Sequence, residues 1–404
     1  MEIRLQLYVY GSSLTRTDIL DGGHVILVEC LKRWVKRGHR THLFTSEETY
    51  AKIQKQGLSG ISYTIVPRVA RHGRSIYPVY IIRTIKSLLA TGNPDHENVV
   101  IYSGSDFWPD SIPAACHKIR YRKAKWVAGF YMFAPNPFKT GSPYQGKRFA
   151  RGLLYYLSQI PIYWLVRKYA DAVFVTSEPD RARFISRSLP PDRVVAVRGG
   201  VDFELVAAVP DQQKEFDAVY LGRFHPQKGV LELVDIWKYV CERRHDAMLI
   251  MIGTGELEEE VKKRIEKLGL ESNITLLGFK EGIEKITILK KSKIVVHPAT
   301  YDSGGMAACE AMACGLPGVS FDLQALRTYY PKGMLKVPCY DLREFAQKTL
   351  KLLVEEDLYN RTARDALEWA KEWDWDKRAP EVLEAIEQLF ITGSNTSTDR
   401  IGVL

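Results

Sequence analysis

Two cationic side chains lie close together in the run Gly222-Arg223-Phe224-His225-Pro226-Gln227-Lys228-Gly229. Arg223 carries a planar fork of donors, whereas Lys228 carries a compact charge on a flexible stem. Both groups bind phosphate oxygens, and a helix beginning near Gly229 would add the partial positive charge of its N-terminus. The spacing indicates a pyrophosphate-binding loop, and it leaves open the alternative of a solvated basic loop.

A second candidate site follows a predicted strand over residues 293–296. Ser303-Gly304-Gly305 can turn sharply, and good helix formers follow from Met306 to Cys314. Free backbone N–H groups at the start of such a helix can bind an anion or a sugar hydroxyl. The carboxylates of Asp302 and Glu310 bracket this loop. The pattern indicates either a ligand site or an ordinary strand-loop-helix unit with surface acids.

Alternating strands and helices must position both loops. Hydrophobic runs predict such repeats from Ile3 to Val197 and again from Phe216 to Leu389, separated by a polar linker over Val201–Glu215. Strands separated by helices predict parallel sheets that are covered on both faces. We therefore expect an α/β protein with two Rossmann-like, doubly wound domains facing a central cleft, because ligands bind at the carboxyl ends of such strands.

The predicted domains cover residues 1–205 and 206–374. A helix over 375–391 is expected to pack back on the first domain, and 392–404 is expected to be a flexible tail. The aromatic-rich helix predicted over 149–169, interrupted near Pro161, leaves two interpretations open. It could lie on a membrane surface or pack in the core.

Composition limits the class of protein. The 404 residues are 46% hydrophobic and 26% charged, which is typical of a globular protein with two domains. No apolar run is long enough to span a bilayer, and Met1-Glu2-Ile3-Arg4 does not resemble a signal peptide. Six cysteines without a CxxC pair indicate reduced thiols and no structural zinc. These features predict a cytoplasmic protein.

Charge is distributed unevenly along the chain. Residues 1–200 contain 30 Lys and Arg against 14 Asp and Glu, whereas residues 201–404 contain 27 against 34. A basic first half could contact an anionic lipid surface, a phosphorylated acceptor or nucleic acid. The asymmetry indicates that the two halves contact different partners.

The ordered set of motifs resembles the family 4 (group 1) glycosyltransferases of GT-B architecture. The family pattern is GR(x)4KG, then GxG after the next strand, then an E-x7-E loop and helix ending in EAMACGLPV. The matching residues are Gly222, Arg223, Lys228, Gly229, Gly253, Gly255 and Glu310 to Pro317. The first half adds Gly22-Gly23 and Gly199-Gly200-Val201-Asp202, which is similar to NGVD. The resemblance covers most of residues 1–390.

The resemblance implies a retaining hexosyltransferase that uses a UDP- or GDP-sugar. Arg223 and Lys228 would bind the donor diphosphate and stabilise the departing nucleoside diphosphate. Glu310 would hydrogen-bond the ribose. Asp302 stands where the family has its first glutamate, which contacts the donor sugar.

The resemblance also assigns backbone groups to the donor site. Gly304, Gly305 and Met306 would present N–H groups to the sugar or the phosphates, and Gly253 and Gly255 would belong to the same site. Gly22 and Gly23 would let the first domain approach the phosphates and the acceptor.

This chain departs from the family pattern at several positions. Asp302 is one methylene shorter than glutamate, and Gly304 replaces a residue that is commonly aromatic. Many relatives carry a histidine after the strand that aligns with 126–131, where this chain has Tyr131, a poorer proton acceptor at neutral pH. His117, among basic residues of a predicted helix, is interpreted as a surface histidine.

No metal or cofactor is expected. Asp374-Trp375-Asp376 imitates a DxD metal motif, but it precedes a predicted helix, where aspartate is a natural cap. The nucleotide sugar would be a substrate, and transfer would be metal-independent.

The expected acceptor is a glycan or a lipid-linked glycan. The basic N-terminal half would then make peripheral contact with an anionic membrane at its inner face, and no nucleic acid is expected. Two alternatives stay open. A GT-B epimerase would act on the nucleotide sugar without an acceptor, and a non-catalytic subunit would only bind it.

Overall fold

A computed structural model describes residues 4–13, 20–69, 77–90 and 98–391. The predicted flexible tail, 392–404, lies outside the described residues. The chain divides into two compact units. The first combines residues up to Ala134 with Leu153–Gly199 and the chain from Trp375 onward, and the second combines Pro135–Gly152 with Gly200–Asp374.

This division differs from the predicted boundary. The predicted junction between residues 205 and 206 falls inside a short helix, Phe203–Ala208, whereas the units meet in sequence at Gly199 and Gly200. The predicted linker over Val201–Glu215 is therefore partly helical, and the side chain of Asp202 caps this helix by accepting from Leu205 N over 2.9 Å.

The first unit contains a parallel sheet between layers of helices. Its strands are β1 (Gln6–Tyr10), β2 (Arg40–Ser46), β3 (Ser62–Val66), β4 (Val99–Ser103), β5 (Lys125–Gly129), β6 (Ala172–Val175) and β7 (Val194–Ala196). The helices are α1 (Gly22–Lys36), α2 (Glu47–Lys55), α3 (Tyr77–Leu89), α4 (Trp108–Arg120), α5 (Phe149–Tyr169) and α6 (Glu178–Phe184). Across the described ranges the strand order is β3-β2-β1-β4-β5-β6-β7.

The second unit repeats this architecture. Its strands are β8 (Phe216–Leu221), β9 (Leu249–Ile252), β10 (Ile274–Gly278), β11 (Ser292–His297), β12 (Gly318–Phe321) and β13 (Met334–Val337). Its helices are α7 (Phe203–Ala208), α8 (Val230–Cys241), α9 (Glu258–Leu268), α10 (Gly282–Lys291), α11 (Met306–Ala313), α12 (Gln324–Tyr329), α13 (Leu342–Val354) and α14 (Glu356–Ala370). The strand order is β10-β9-β8-β11-β12-β13. All strand pairs between these elements are parallel, which confirms the predicted α/β class.

The last helix, α15 (Trp375–Ile391), returns to the first unit and packs on α1. The indole N–H of Trp34 donates to the carbonyl of Ala379 over 2.8 Å. Arg33 Nε lies 2.5 Å from Asp376 Oδ1, so this carboxylate of the DxD-like sequence takes part in an ion pair on α1.

Two predictions about helices in the first unit are wrong. Helix α5 continues through Pro161 without the predicted interruption. His117 is buried rather than on the surface, and its Nδ1 lies 3.0 Å from the hydroxyl of Tyr10. Burial lowers the pKa of His117 to about 4, which keeps the imidazole neutral. Within the described ranges, no helix is both long enough and apolar enough to cross a membrane.

Candidate functional site

The sheet of the second unit reverses its strand order at β8, which lies between β9 and β11. Loops that follow the carboxyl ends of neighbouring strands meet at such a point. Here the loop after β11 pairs with the loop after β8, because the N–H groups of Thr300 and Tyr301 both donate to the carbonyl of Gln227, over 2.9 and 3.2 Å. The two motifs predicted to bind a ligand are thus adjacent.

Glycine is required where these loops touch. Gly229 has a left-handed backbone with φ of 63°, and a Cβ there would lie 1.9 Å from the carbonyl oxygen of Pro298. A Cβ on Gly253, which follows β9, would lie 1.9 Å from the carbonyl oxygen of Gly222. Larger residues would push the loops apart, so these positions depend on the absence of a side chain.

The carboxylate of Asp302 joins the two loops, and both of its oxygens have partners. Lys228 Nζ lies 2.6 Å from Oδ2, and the N–H groups of Ser303 and Gly304 donate to Oδ1 over 3.0 and 3.3 Å. His297 Nε2 lies 3.5 Å from Oδ2, and the Asp302 and His297 side chains are 6% and 4% exposed. Asp302 therefore orients Lys228 and the turn that precedes α11.

Burial and charge act in opposite directions on Asp302. Burial alone would raise its pKa, but the charge of Lys228 and the neighbouring imidazole of His297 outweigh burial and hold the pKa well below its usual range. Burial lowers the pKa of His297, which leaves its imidazole neutral at pH 7. The result is a fixed ion pair in which the Lys228 side chain is still 20% exposed.

Arg223 supplies a second cation from the same loop. Its side chain is exposed and has no carboxylate partner within the part of the chain that the structure describes. Its backbone is fixed, because its carbonyl accepts from the Tyr220 hydroxyl over 3.1 Å and the next N–H, that of buried Phe224, donates to Thr254 O over 2.9 Å. Burial and then the charge of Arg223 lower the pKa of His225 to about 3.

Glu310 lies on α11, on the far side of the glycine turn from Asp302. Lys285 Nζ on α10 is 2.6 Å from Glu310 Oε1, whereas Oε2 has no hydrogen-bond partner among the described residues. The sequence did not single out Lys285, since its partner is on another helix and no local spacing connects the two. Of the remaining predicted positions, Gly304 and Gly305 pack against the rings of Tyr329 and Tyr330, Met306 begins α11, and Gly255 packs against the Phe224 backbone.

Gly22 and Gly23 lie in the first unit, at the N-terminus of α1 and beside the point where its strand order reverses at β1. Tyr131 packs on Gly23, because a Cβ there would lie 2.7 Å from Tyr131 Cδ2. The Tyr131 hydroxyl is 2.5 Å from the hydroxyl of Tyr102, a fully buried residue. This hydroxyl therefore contributes to the interior of the first unit.

A buried histidine beneath Gly22 and Gly23 escaped the sequence prediction. His24 is fully buried, with Nδ1 2.8 Å from Asp21 Oδ1 and Nε2 3.6 Å from Asp110 Oδ2. Burial alone would lower its pKa, but the charge of Asp21 and the carboxylate of Asp110 outweigh it and raise the pKa of His24 to about 10. The start of α1 is therefore fixed by a protonated histidine between two carboxylates.

The sequence predicts that transfer needs no metal ion. Within the described ranges, His, Cys, Asp and Glu side chains do not form a group of three or more that could hold a metal ion. Metal-independent transfer stays a prediction.

Comparison with known families gives two matches. The model described as "Glycosyltransferase Family 4" matches residues 20–205, and that described as "Glycosyl transferases group 1" matches residues 203–369. The second match contains the loops after β8, β9 and β11, and the first contains Gly22 and Gly23. Both matches agree with the resemblance found in the motifs.

Individual proteins are similar over shorter stretches. A phosphatidyl-myo-inositol mannosyltransferase of Mycobacterium leprae is 27% identical over 208 residues, which are 50% of this chain and 55% of that protein. An uncharacterized glycosyltransferase of Methanocaldococcus jannaschii is 28% identical over 200 residues, 49% of this chain and 54% of that protein. The chain spans about half the length of the curated relatives it matches.

Solved structures share the fold over nearly the whole chain. Anabaena Alr3699/HepE in complex with UDP and glucose has a TM-score of 0.71 at 16% identity and covers 95% of this chain and 100% of its own. Sucrose-phosphate synthase from Thermosynechococcus elongatus has a TM-score of 0.73 at 16% identity and covers 96% and 100%. These structures show the fold, which is the GT-B architecture. The two family matches, which together run from residue 20 to residue 369, place this chain among the group 1, family 4 glycosyltransferases.

Proposed function

We propose that this protein transfers a hexose from a UDP- or GDP-sugar to a hydroxyl group of an acceptor. The observation that carries the proposal is the pair of cations, Arg223 and Lys228, on a rigid loop at the strand-order reversal of the second unit. Two preorganised cations can stabilise the charge that develops on a departing nucleoside diphosphate. Family membership supports the same chemistry.

We assign the rest of the donor site to the loops after β9 and β11. Backbone N–H groups of Gly304, Gly305 and Met306 would face the sugar or the phosphates, with Gly253 and Gly255 closing the opposite wall. Glu310 would accept hydrogen bonds from the ribose through Oε2, while Lys285 holds Oε1. In the first unit, Gly22 and Gly23 would receive a phosphate or acceptor group at the start of α1.

Asp302 would act mainly through Lys228. Both oxygens of Asp302 are already engaged, and its short side chain is buried, which disfavours a role as a carboxylate nucleophile. We therefore propose transfer with retention by attack on the face that the leaving group departs from. Neither a metal nor another cofactor is part of the proposal.

The acceptor that we propose is a glycan or a lipid-linked glycan. The excess of basic residues in the first half favours an acceptor at an anionic membrane, with the protein at its cytoplasmic face. The relative from Mycobacterium leprae is named for a lipid, as a phosphatidyl-myo-inositol mannosyltransferase. Nucleic acid is not a proposed partner.

A thermal-shift panel tests the donor assignment. UDP, GDP and their sugars are added to the whole protein, and the matching nucleotide should raise the melting temperature because it binds only the folded state. Incubation of the matching donor without acceptor then separates the alternatives, since an epimerase would convert it into a second nucleotide sugar. A protein stabilised by none of these nucleotides would contradict the proposal, and one that binds without turnover on any glycan acceptor would favour a sensor.

A further inference from the structure

Helix α3 in the first unit buries three polar residues beside two apolar ones, Val79 and Tyr80, and exposes most of its isoleucine and leucine side chains. Its polar residues Arg83, Thr84 and Ser87 are buried, and Arg83 Nη2 lies 2.8 Å from Glu48 Oε1. A surface helix normally buries its apolar stripe and exposes its polar face. On α3 the exposed stripe is apolar, with exposed fractions of 48%, 42%, 51% and 82% for Ile81, Ile82, Ile85 and Leu89.

Helix α5 exposes a second apolar stripe. Residues spaced by three or four positions lie on one face of a helix. The exposed members are Leu154, Leu157, Ile160 and Trp164, at 49%, 49%, 39% and 61%. The guanidinium of Arg167 lies 5.5 Å from the centre of the Trp164 ring, and the adjacent Lys168 is exposed. The stripe therefore ends in an indole flanked by cations.

Trp108 at the start of α4 connects the two helices. Its backbone N–H donates to the hydroxyl of Tyr80 on α3 over 2.9 Å, and its indole N–H donates to the carbonyl of Ser158 on α5 over 2.8 Å. The two stripes are thus held on neighbouring elements of one compact unit. We call them together the α3–α5 face.

The sequence of this region is basic, although Arg83, Arg148 and Arg151 pair with Glu48, Glu260 and Glu256. Residues 111–170 contain 11 Lys and Arg and no Asp or Glu, and residues 77–90 contain Arg83 and Lys86 but no acid. An apolar stripe with tryptophan and flanking cations is typical of helices that lie in the plane of a membrane interface. Such cations also attract anionic lipid headgroups, each contributing about 1 kcal/mol near the surface.

We propose that the α3–α5 face docks the first unit on an anionic lipid bilayer, with both helices parallel to the membrane plane. The exposed apolar side chains of α3 and α5 support membrane docking whatever reaction the protein catalyses. Only the idea that docking serves a lipid-borne acceptor rests on the proposed function. The helices would insert their apolar side chains among the headgroups without crossing the membrane.

Vesicle co-sedimentation of the whole protein tests this proposal. The probes are vesicles of phosphatidylcholine alone and vesicles that also contain phosphatidylglycerol, each at low and high salt. The wild-type protein should pellet with the anionic vesicles and be released by salt, because salt screens exposed charges. Ile82→Ser combined with Ile85→Ser, and separately Leu157→Ser combined with Trp164→Ser, should each reduce vesicle binding about tenfold.

A matched control is Val354→Ser in the second unit, where the replaced side chain is 74% exposed. This variant should pellet like the wild type. Equal pelleting of all variants, no pelleting of the wild type, or equal binding to neutral vesicles would each overturn the proposal. Concentration-dependent dimers that form without vesicles and are lost in the face variants would instead identify a second copy as the occupant. Nucleotide thermal shifts should be the same in all variants, so failure of donor binding is detected separately.

Discussion

At the scale of single residues, the ion pair between Lys228 and Asp302 links binding chemistry to stability. We predict that Lys228→Ala lowers kcat by about 10²–10³-fold, because a charge opposite the departing diphosphate is lost. The same change leaves Asp302 buried without its cation, a defect that typically costs about 3–5 kcal/mol. Nucleotide release gives the rate, and chemical denaturation gives the free energy of unfolding.

The double variant separates these two effects. Adding Asp302→Asn to Lys228→Ala removes the uncompensated charge, so the free energy of unfolding should recover in part while kcat stays low. Unchanged turnover in Lys228→Ala would show that this ammonium group does not act on the leaving group.

Lys285 pairs with Glu310, the residue that we assign to the donor ribose. We predict that Lys285→Met raises the KM for the donor about fivefold and leaves kcat nearly unchanged, because Glu310 loses the hydrogen bond that orients it toward the ribose. Initial rates at varied donor concentration measure both constants. Lys280→Met is the control, since Lys280 pairs with the 61% exposed Glu284. An equal rise of KM in both variants would contradict the assignment.

The sequence indicated candidate residues for this site but not their contacts. Arg223, Lys228 and Asp302 belong to short motifs whose spacing has a local cause. The partner of Asp302 is 74 positions away along the chain, and that of Glu310 is 25 positions away. Only the folded sheet brings such pairs together, so no period or spacing could have identified them. Tyr131 illustrates the same limit, because it follows β5 and packs on Gly23 of α1, more than 100 positions earlier in the chain.

At the scale of secondary-structure elements, the start of α1 depends on the buried His24. Its pKa of about 10 lies above the ordinary 6.5, so its stabilising effect is complete below pH 6.5 and is lost as the pH rises toward 10. We predict that His24→Gln lowers the free energy of unfolding at pH 6 by about 3–5 kcal/mol, because Asp21 and Asp110 then face each other without a cation.

Measurements on the wild type and on His24→Gln at several pH values test whether the charge of His24 causes the stabilisation. Denaturant melts at a series of pH values should show that the deficit of His24→Gln shrinks between pH 7 and pH 10, since the wild type loses its imidazolium over that range. A deficit independent of pH would mean that the imidazole acts only by filling space.

Elements with a strong hydrophobic periodicity were predicted from the sequence, whereas short elements with few apolar residues were not. Alternating strands and helices predicted both parallel sheets. Helix α2, helix α12 and strand β13 were missed, because each is short and only partly apolar. The break expected at Pro161 does not occur, although proline removes the N–H that would bond to the carbonyl of Leu157. The exposure of the α3 isoleucines also could not be predicted, since such residues suggest a core face.

At the scale of the whole molecule, the chain crosses between its units more often than the sequence indicated. Pro135–Gly152 was assigned to the first domain but belongs to the second. Arg148 Nη2 lies 3.0 Å from Glu260 Oε2 on the first turn of α9, and Arg151 pairs with Glu256, which precedes this helix. The two residues of each pair are more than 100 positions apart along the chain. The composition of the sequence could therefore not show that Pro135–Gly152 belongs to the second unit.

The return of α15 to the first unit gives a prediction about the whole chain. Ile386 on this helix is fully buried, whereas Ile391, at its end, is 57% exposed. We predict that Ile386→Ala destabilises the first unit by about 2–5 kcal/mol through loss of buried contacts. Ile391→Ala should change the free energy of unfolding by less than about 0.5 kcal/mol, as surface substitutions usually do.

Hydrogen–deuterium exchange locates the effect within the chain. In Ile386→Ala, amides of β1 and α1 should exchange faster, because α15 packs on α1 and its loosening exposes the indole contact between Trp34 and Ala379. Amides of β8 and β11 should keep their protection, and the nucleotide should stabilise the second unit as in the wild type. Equal loss of protection in β1 and β8 would mean that the last helix stabilises both units, contrary to its packing on the first.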